Sequence, residues 1–494
     1  MDTIGHWVQG RAVTGTSERR GPVYNPARGR QVASVSLASA GEVDDVVKSA
    51  VDASLDWAGS SLSARANLLF RLRELIFQNR EDLARAVTAE HGKVISDALG
   101  EVARGLECVD FACGVPNLLK GSYSPQVSTG IDVHTVLEPV GVVAGITPFN
   151  FPVMVPLWML ANALACGNAF ILKPSEKDPS PSLRLAELVK QAGFPDGVFS
   201  VVQGDSEAVN SLLSHPGVDA VSFVGSTPVA RHVYETGTHN GKRVQALGGA
   251  KNHMVVLPDA DIDVAADAAV SAGFGSAGER CMAISVVVAV GSVADDLVRA
   301  VADRIPDVVV GPGDSPDSMM GPLITGDHRN RVRAYVDGAA GEGAQVVVDG
   351  RAGGNTEGFF LGCSLIDHVS PGMRVYDDEI FGPVLSVVRV ATLAEAVSLV
   401  NSNPYGNGVA VFTRDGGAAR RFERSVKVGM VGINVPIPVP VASHSFGGWK
   451  ASIFGDSPIY GPEGVRFYTR PKVVTSRWPE APANSLDLGF PSGR

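Results

Sequence analysis

The stretch Val140-Gly141-Val142-Val143-Ala144-Gly145-Ile146, followed by Thr147-Pro148-Phe149-Asn150-Phe151-Pro152, begins the pattern that decides the fold. Its first part is apolar without a break, as in a strand buried on both faces, and its second part has the prolines and asparagine of a turn. From there, short apolar strands alternate with helical runs as far as residue 247. Such alternation predicts an α/β fold, with a parallel sheet covered by helices on both faces.

A second α/β series follows residue 247, with apolar strands at 254–257, 284–290, 384–390 and 408–412. Ahead of both series, residues 1–35 read as an arm with a hairpin, and residues 40–119 have helical periodicity. Residues 123–138 are polar and strand-like, which suits a hairpin used in assembly. A short strand is predicted near Phe467, and a Pro/Ser/Gly-rich tail after Trp478 is expected to be disordered.

The composition excludes several classes of protein. The chain has 494 residues, enough for two or three domains, and a net charge of -10 without a basic block, so nucleic acid and anionic membranes are not expected as partners. The start has no secretory signal, and prolines and asparagines interrupt the most apolar stretch, residues 140–172, so no membrane span is expected. The five cysteines are odd in number and lack a Cys-x-x-Cys pair, which predicts a cytosolic protein without disulfides or a metal site.

One cysteine lies in a setting suited to chemistry. The run Phe274-Gly275-Ser276-Ala277-Gly278-Glu279-Arg280-Cys281-Met282 places Cys281 after a glycine-rich turn and beside an arginine. Small residues let backbone N–H groups approach the sulfur, and an adjacent cation favours the nucleophilic thiolate. Free cysteines are more often buried and inert, so this stretch alone leaves both interpretations open. Its glycines match G-x-G-x-x-G, but a helical run precedes them, which excludes a dinucleotide fingerprint.

Five other residues, at four places in the chain, have both a functional and an ordinary interpretation. Asn150, held between aromatics and prolines, is able to donate to an oxyanion or to close an Asx-turn. Lys173 and Glu176 follow a strand, where they suit ribose hydroxyls or a solvated loop. Ser226 precedes a helix, as a phosphate site or a plain N-cap. Glu379 places a carboxylate beside an aromatic residue in a turn between α/β units, which is either a functional position or an ordinary loop.

Together these motifs resemble the aldehyde dehydrogenase superfamily over residues 7–478. The motifs are Pro148-Phe149-Asn150-Phe151-Pro152, Lys173-Pro174-Ser175-Glu176, Phe223-Val224-Gly225-Ser226-Thr227, Gly278-Glu279-Arg280-Cys281 and Glu379-Ile380-Phe381-Gly382-Pro383. The resemblance implies the aldehyde dehydrogenase fold, with nucleotide-binding and catalytic parallel-sheet domains and an oligomerisation hairpin. The corresponding ranges are 1–122 with 140–247, 248–445, and 123–139 with 446–478, followed by a tail at 479–494.

The resemblance also assigns roles within the site. It implies that Cys281 is the nucleophile and that the Asn150 amide and the Cys281 backbone N–H form the oxyanion hole. The residues implied to line an NAD site are Thr147, Phe149, Lys173, Glu176, Lys177, Ser226, Gly248, Glu379 and Phe381. A carboxylate at Glu176 would repel the 2′-phosphate of NADP, which favours NAD.

One departure from the superfamily pattern concerns the acyl acceptor. Members that hydrolyse the thioester usually carry a water-activating glutamate at the start of a Glu-Leu-Gly-Gly-Lys motif. The corresponding run here is Gln245-Ala246-Leu247-Gly248-Gly249-Ala250-Lys251-Asn252-His253, and Ala246, interpreted as the residue at that position, offers no base. The acyl-enzyme is then expected to await a thiol, which ionises near neutral pH more readily than water.

Three further runs resemble the methylmalonate-semialdehyde dehydrogenases, which acylate coenzyme A: Ala250-Lys251-Asn252-His253, residues 274–283 and Pro156-Leu157-Trp158-Met159. This resemblance implies that Arg104 and Arg280 hold the substrate carboxylate, since a guanidinium binds carboxylate bidentately. For Arg104 the alternative is a charge on a helix surface.

The implied reaction is NAD-dependent oxidation of methylmalonate or malonate semialdehyde with CoA, giving propionyl-CoA or acetyl-CoA plus CO2. The resemblance further implies a cytoplasmic homodimer or homotetramer with a place in valine catabolism, and a semialdehyde and CoA as its small-molecule partners. Two alternatives remain open: a hydrolytic NAD-dependent aldehyde dehydrogenase that releases a free acid, and a non-catalytic binding protein on the same fold.

Overall fold

A computed structural model describes residues 2–352 and 357–478 and confirms the predicted α/β class. The tail at 479–494, expected to be disordered, lies outside the described residues. Within the described ranges, none of the helices combines the length and apolar character needed to cross a bilayer.

The first 120 residues form an arm of short strands followed by helices. The strands are β1 (Thr3–Ile4), β2 (His6–Val8), β3 (Arg11–Val13), β4 (Arg20–Asn25) and β5 (Arg30–Ser36). The helices are α1 (Ala40–Ala58), α2 (Leu62–Gln78), α3 (Arg80–His91), α4 (Ile95–Cys113) and α5 (Val115–Leu118). Two hairpins, β2–β3 and β4–β5, confirm the predicted arm, and a capping box between Ser39 and Glu42 fixes the start of α1.

A hairpin and the first α/β series come next. The hairpin consists of β6 (Ser122–Ser128) and β7 (Ile131–Pro139). The series contains β8 (Val142–Ile146), α6 (Met154–Ala165), β9 (Ala169–Lys173), α7 (Ser180–Ala192), β10 (Phe199–Val201), α8 (Ser206–Ser214), β11 (Ala220–Val224), α9 (Thr227–His239) and β12 (Arg243–Leu247). These bounds agree with the alternation predicted from residue 140 onward.

The second series continues to the end of the described chain. Its first part contains β13 (Asn252–Val256), α10 (Ile262–Phe274), β14 (Ile284–Val290), α11 (Ala294–Arg304), α12 (Gly326–Ala339), β15 (Gln345–Val348), β16 (Ser364–Asp367), α13 (Arg374–Asp377) and β17 (Val384–Val390). Its second part contains α14 (Leu393–Ser402), β18 (Tyr405–Gly406), β19 (Gly408–Phe412), α15 (Gly416–Ser425), β20 (Met430–Ile433), β21 (Trp449–Lys450), β22 (Ile453–Phe454), α16 (Gly461–Phe467) and β23 (Thr469–Arg477).

The two series build two large sheets. The first has eight strands in the order β22-β12-β11-β8-β9-β10-β2-β3, and its central strands from β12 to β10 are parallel. The second has seven strands in the order β15-β16-β17-β14-β13-β19-β20, all parallel except β15. Every residue of β8, β9 and β11 is buried, because helices cover both faces of the first sheet.

A third, antiparallel sheet joins distant parts of the chain in the order β23-β7-β6. The short strand predicted near Phe467 is wrong in position, since Phe467 ends α16 and β23 begins at Thr469. Pro462 in the first turn of α16 favours a helix there, and Phe467 is buried at the end of that helix.

Candidate active site

The turn that carries Cys281 is anchored in two hydrophobic cores. Phe274 and Ala277 pack in the core around the second sheet, whereas Met282 packs in the core between the first sheet and α6. Cys281 contacts the latter core, so it lies at the junction of the two. The turn is the only element between α10 and β14, and both cores therefore fix its position.

The backbone of this turn is left-handed at consecutive residues. Ser276 and Ala277 have φ of 54° and 53°, and Gly278 follows with φ of 72°. A β-carbon on Gly278 would lie 2.3 Å from the Gly382 carbonyl oxygen, so only glycine fits. Left-handed non-glycine residues are energetically costly and concentrate at functional sites, which agrees with a functional role for the turn.

The Cys281 thiol is neutral in this environment. Cys281 is partly exposed, whereas Cys108, Cys113, Cys166 and Cys363 are buried. Burial and then the Glu379 carboxylate raise the pKa of the Cys281 thiol to about 12, and Arg280 lowers it only as the smallest of the contributions. The expected favouring of the thiolate by Arg280 is therefore outweighed by the apolar surroundings.

Two cavities meet at Cys281. The larger one, hereafter the arginine cavity, has a volume of about 450 Å³ and is lined by Ser96, Asp97, Gly100, Glu101, Arg104, Phe151, Met154, Trp158, Arg280, Cys281, Met282, Ile437, Val439 and Phe446. The second is a narrower cleft that Cys281 shares with Glu379 and Phe381. Cys281 thus lines both the arginine cavity and the cleft.

Asn150 lies against the Cys281 turn. Its buried amide Nδ2 donates to the carbonyl oxygen of Glu279 at 3.1 Å, two residues before Cys281. An amide nitrogen carries two hydrogens, so one N–H remains for an oxyanion. The structure therefore places the Asn150 amide against the turn that carries Cys281.

A buried ion pair that the sequence analysis missed holds Asn150 in place. Lys93 Nζ donates to Glu101 Oε2 at 2.7 Å and to the backbone carbonyl of Asn150 at 2.6 Å, and both charged side chains are 0% exposed. Glu101 Oε1 accepts from the backbone N–H groups of Val153 and Met154 at the start of α6. The pair therefore clamps both ends of the turn that carries Asn150, and a negative charge at a helix N-terminus is favourable.

Replacing Lys93 by methionine is expected to lower the free energy of unfolding by about 3–5 kcal/mol, because it leaves the Glu101 charge buried without its partner. Urea denaturation at pH 7 measures the change. The matched control is Lys48→Met, whose side chain is 67% exposed in its pair with Asp44 and whose loss is expected to cost about 0.5 kcal/mol or less. Equal costs for the two variants would mean that the buried pair does not stabilise the fold.

Glu279 forms a second buried polar group behind the turn. Its carboxyl oxygens lie 3.7 Å from His91 Nε2 and 3.4 Å from His328 Nε2, and Oε1 accepts from the backbone N–H of Ile324. Burial raises the pKa of Glu279 to about 8 and lowers the pKa of His328 to about 4. All three side chains are therefore neutral near pH 7, and no sequence pattern indicated that they meet.

Several residues predicted for NAD gather at the carboxyl ends of the first sheet's strands. Thr147 follows β8, and its buried Oγ1 has no hydrogen-bond partner among the described residues. Lys173 ends β9, and its Nζ lies 3.4 Å from Glu176 Oε2. Ser226 precedes α9, but its side chain makes no capping hydrogen bond to that helix. The alternative interpretation of Ser226 as a plain N-cap is therefore not supported. Unused polar atoms at this edge fit a nucleotide ligand.

Of the remaining predicted residues, Glu379 and Phe381 line the cleft. Phe149 packs edge-on against Phe381 with ring centroids 5.8 Å apart, and Lys177 Nζ lies 4.8 Å above the Phe149 ring. Glu379 Oε1 accepts from the backbone N–H of Ala250, and burial raises the pKa of Glu379 to about 7. Gly248 donates its N–H to Ser452, close to the start of α9.

Both predicted substrate arginines line the arginine cavity, but each already has a carboxylate partner. Arg104 Nη1 bonds both Glu107 oxygens at 2.9 and 2.8 Å, and its Nη2 donates to the Pro440 carbonyl at 2.9 Å. Arg280 Nη2 donates to Asp97 Oδ1 at 2.8 Å. Arg104 is thus neither a free surface charge nor a free anion site.

The prediction that Ala246 occupies the position of the water-activating glutamate is wrong. Ala246 points away from Cys281, into the core between the first sheet and helices α1, α8 and α9. Leu247 points to the opposite face, into the core that Cys281 contacts, because successive strand residues alternate. The sequence agrees: if Lys251 is matched with the lysine of the Glu-Leu-Gly-Gly-Lys motif, the glutamate of the motif falls at Leu247. The conclusion that no base stands there is unchanged, since leucine has none.

The family model for the aldehyde dehydrogenase family matches residues 13–474. The chain belongs to the aldehyde dehydrogenase family. Within the family, it is 52% identical to a malonate-semialdehyde dehydrogenase of Pseudomonas aeruginosa, over 100% of both chains. It is also similar to the crystal structure of methylmalonate-semialdehyde dehydrogenase from Oceanimonas doudoroffii, with a TM-score of 0.96, 52% identity and coverage of 97% of this chain and 99% of that one.

A third aldehyde dehydrogenase relative was crystallised with a cofactor. It comes from Sinorhizobium meliloti 1021, was solved in complex with NAD, and has a TM-score of 0.96 with 49% identity over 98% of this chain and 99% of that one. The superfamily fold expected from the motifs is therefore confirmed, as is the narrower resemblance to semialdehyde dehydrogenases.

Proposed function

We propose that this chain is an NAD-dependent, CoA-acylating dehydrogenase of malonate and methylmalonate semialdehydes. The observation that carries the proposal is the arginine cavity, in which the partly exposed Cys281 lies together with Arg104 and Arg280. A nucleophile beside two guanidinium groups suits an aldehyde that also bears a carboxylate. The names of the relatives support the same substrate class.

The first step is attack of the Cys281 sulfur on the aldehyde carbon. The thiol proton passes to solvent as the S–C bond forms, because the thiol is neutral beforehand, and the π electrons of the C=O bond move to the oxygen. The free N–H of the Asn150 amide and the Cys281 backbone N–H donate to the oxygen, which becomes negatively charged. The Lys93–Glu101 pair fixes the Asn150 backbone, so the donor does not reorient during the reaction.

NAD, when bound, accepts the aldehyde hydrogen as hydride. We assign its binding to the residues expected from the sequence: Thr147, Phe149, Lys173, Glu176, Lys177, Ser226, Gly248, Glu379 and Phe381. The unused hydroxyls of Thr147 and Ser226 at the first sheet's edge support this assignment, as do Glu379 and Phe381 in the cleft. The cleft brings Glu379 to the same sulfur that faces the arginine cavity. The substrate carboxylate and the cofactor would therefore approach Cys281 from different sides.

Hydride loss leaves a thioester on Cys281. The β-carboxylate then leaves as CO2, a proton takes its place on the carbon, and CoA takes the remaining acyl group. The core that Cys281 contacts presents Leu247 where a water-activating carboxylate would stand. A thiol needs less activation than water, which favours CoA as the acceptor. Loss of the β-carboxylate as CO2 gives acetyl-CoA from malonate semialdehyde and propionyl-CoA from methylmalonate semialdehyde, the latter a reaction suited to valine catabolism.

We further propose that the protein is a cytoplasmic homodimer or homotetramer divided as expected from its sequence. The division is 1–122 with 140–247 for NAD, 248–445 for catalysis, and 123–139 with 446–478 for assembly. The third sheet supports a role in assembly, since it exposes apolar side chains at Tyr123, Val127, Val136 and Val473. Five free cysteines support a reducing compartment.

The test of this function is the rate of NADH formation with malonate semialdehyde, methylmalonate semialdehyde and uncharged propanal. Arg104→Leu is expected to raise the KM for both semialdehydes about tenfold relative to that for propanal, because a charge-assisted contact is lost. Steady-state kinetics at saturating NAD and CoA measure the ratio.

The matched control is Arg73→Leu. Arg73 is as exposed as Arg104, at 33% against 34%, and likewise pairs with carboxylates, but it does not line the arginine cavity. Its ratio of KM values should stay at the wild-type level. If Arg104→Leu affects the three aldehydes equally, the arginine does not recognise the carboxylate.

A further inference from the structure

Arg280 is held in a defined position before any substrate arrives. Its guanidinium lies flat against Gly275, where a β-carbon would come within 2.5 Å of Nη1. Its Nη2 donates to Asp97 Oδ1 at 2.8 Å, and the two side chains are only 21% and 25% exposed. Arg280 is therefore oriented by its neighbours and already neutralised by a carboxylate.

The arginine cavity as a whole is electrically balanced. The charged residues that line it are Asp97, Glu101, Arg104 and Arg280. Glu101 is paired with Lys93, and Arg104 with Glu107, outside the lining. A substrate carboxylate thus enters a cavity in which each guanidinium has its own anion, and it gains an attraction only where it replaces one of them.

Asp97 is the carboxylate that a substrate carboxylate is able to displace from its arginine. It lines the arginine cavity and also a neighbouring cavity of about 500 Å³, distinct from the cleft at Cys281. This neighbouring cavity shares Ser96 and Arg280 with the arginine cavity. Glu107, by contrast, binds Arg104 through both carboxylate oxygens, and Glu101 is fully buried. Asp97 has one oxygen on Arg280 and lines open space in both cavities.

We propose that Asp97 sets the selectivity of the site by competing with the substrate carboxylate for Arg280. This inference rests on the proposed function, in which Arg280 binds that carboxylate. Asp97 keeps Arg280 oriented in the empty site, and a carboxylate of the substrate takes its place on the guanidinium. Uncharged aldehydes have no carboxylate to replace Asp97, so the Asp97–Arg280 ion pair stays intact when they bind.

Asp97→Asn separates this competition from a purely positioning role. Asparagine has nearly the same shape, and its Oδ1 still accepts from Arg280 Nη2, but it carries no charge. Competition predicts a KM for malonate semialdehyde that falls roughly fivefold relative to the KM for propanal, the size of a partly exposed ion pair. A positioning role predicts a ratio that does not change, or one that rises because Arg280 is less well held.

The experiment compares wild type, Asp97→Asn, Arg280→Met and the double variant Asp97→Asn/Arg280→Met with malonate semialdehyde and propanal. The matched control is Asp110→Asn, which removes one negative charge from the same helix, α4, but from a pair with Arg73 outside both cavities. The proposal expects the lower ratio in Asp97→Asn alone, and no effect of Asp97→Asn once Arg280 is replaced. An unchanged or raised ratio, an equal fall in Asp110→Asn, or a fall that persists without Arg280 overturns it.

Arg280→Met distinguishes failure of this inference from failure of the proposed function. If Arg280→Met weakens both aldehydes equally, Arg280 does not bind the carboxylate, and both proposals fail. If it weakens malonate semialdehyde selectively while Asp97→Asn leaves the ratio unchanged, the proposed function stands and only the role of Asp97 is refuted.

Discussion

Replacing Cys281 by alanine is expected to lower NADH formation by at least about 10⁴-fold, because the covalent step has no substitute nucleophile. NAD binding should be nearly intact, since the residues assigned to NAD lie on other elements. Isothermal titration of NAD into the variant and a steady-state assay with malonate semialdehyde measure the two properties separately.

Cys363→Ala provides the matched control for that variant. Cys363 is a free cysteine whose pKa burial likewise raises to about 12, but it is buried in the core of the second sheet and lines neither cavity at Cys281. It should keep NADH formation at the wild-type level. Substantial turnover by Cys281→Ala would remove Cys281 from the mechanism.

Without CoA, the enzyme is expected to release about one NADH per active site and then nearly stall as a thioacyl-enzyme. The reason is that Leu247, on the face that Cys281 contacts, has no carboxylate, so that water is not activated from this position. Addition of CoA should restore steady turnover and give an acyl-CoA product. Stopped-flow absorbance of NADH measures the burst, and mass spectrometry of the quenched enzyme measures the acyl group.

Two glutamate variants test the orientation behind this expectation. Leu247→Glu places a carboxylate on the face that Cys281 contacts and should restore some hydrolysis, provided that it holds a water within about 3 Å of the thioester. Ala246→Glu introduces the same charge on the opposite face and should not. Rapid steady NADH formation by the wild type without CoA, with a free acid as product, would refute the acylating assignment; Glu379, which shares the cleft with Cys281, would then be the carboxylate to replace.

The sequence was most informative where apolar runs are continuous. The runs that became β8, β9 and β11 were located to within two residues, because strands buried on both faces leave no polar alternation to misinterpret. The turn at Cys281 was recognisable for another local reason: its glycines and small residues allow the left-handed backbone found there.

Contacts between distant residues were not predictable in this way. Lys93 and Glu101 are separated by the start of a helix and meet Asn150 only after three elements have packed together. Asp97 and Arg280 lie 183 positions apart, and neither has a pattern that indicates the other. The error at Ala246 was of a different kind, because in a strand a shift of one residue reverses the face on which a side chain lies.

The antiparallel sheet β23-β7-β6 is completed only late in the synthesis of the chain. β7 leaves the ribosome early, but the strand that covers its second edge, β23, is synthesised more than 300 residues later, since Thr469 pairs with Pro139 and Arg477 with Ile131. Until then β7 presents unpaired N–H and C=O groups, a template for pairing with another nascent chain. A chain terminated before Thr469 would keep that edge open permanently, so premature termination is expected to yield aggregates rather than a smaller enzyme.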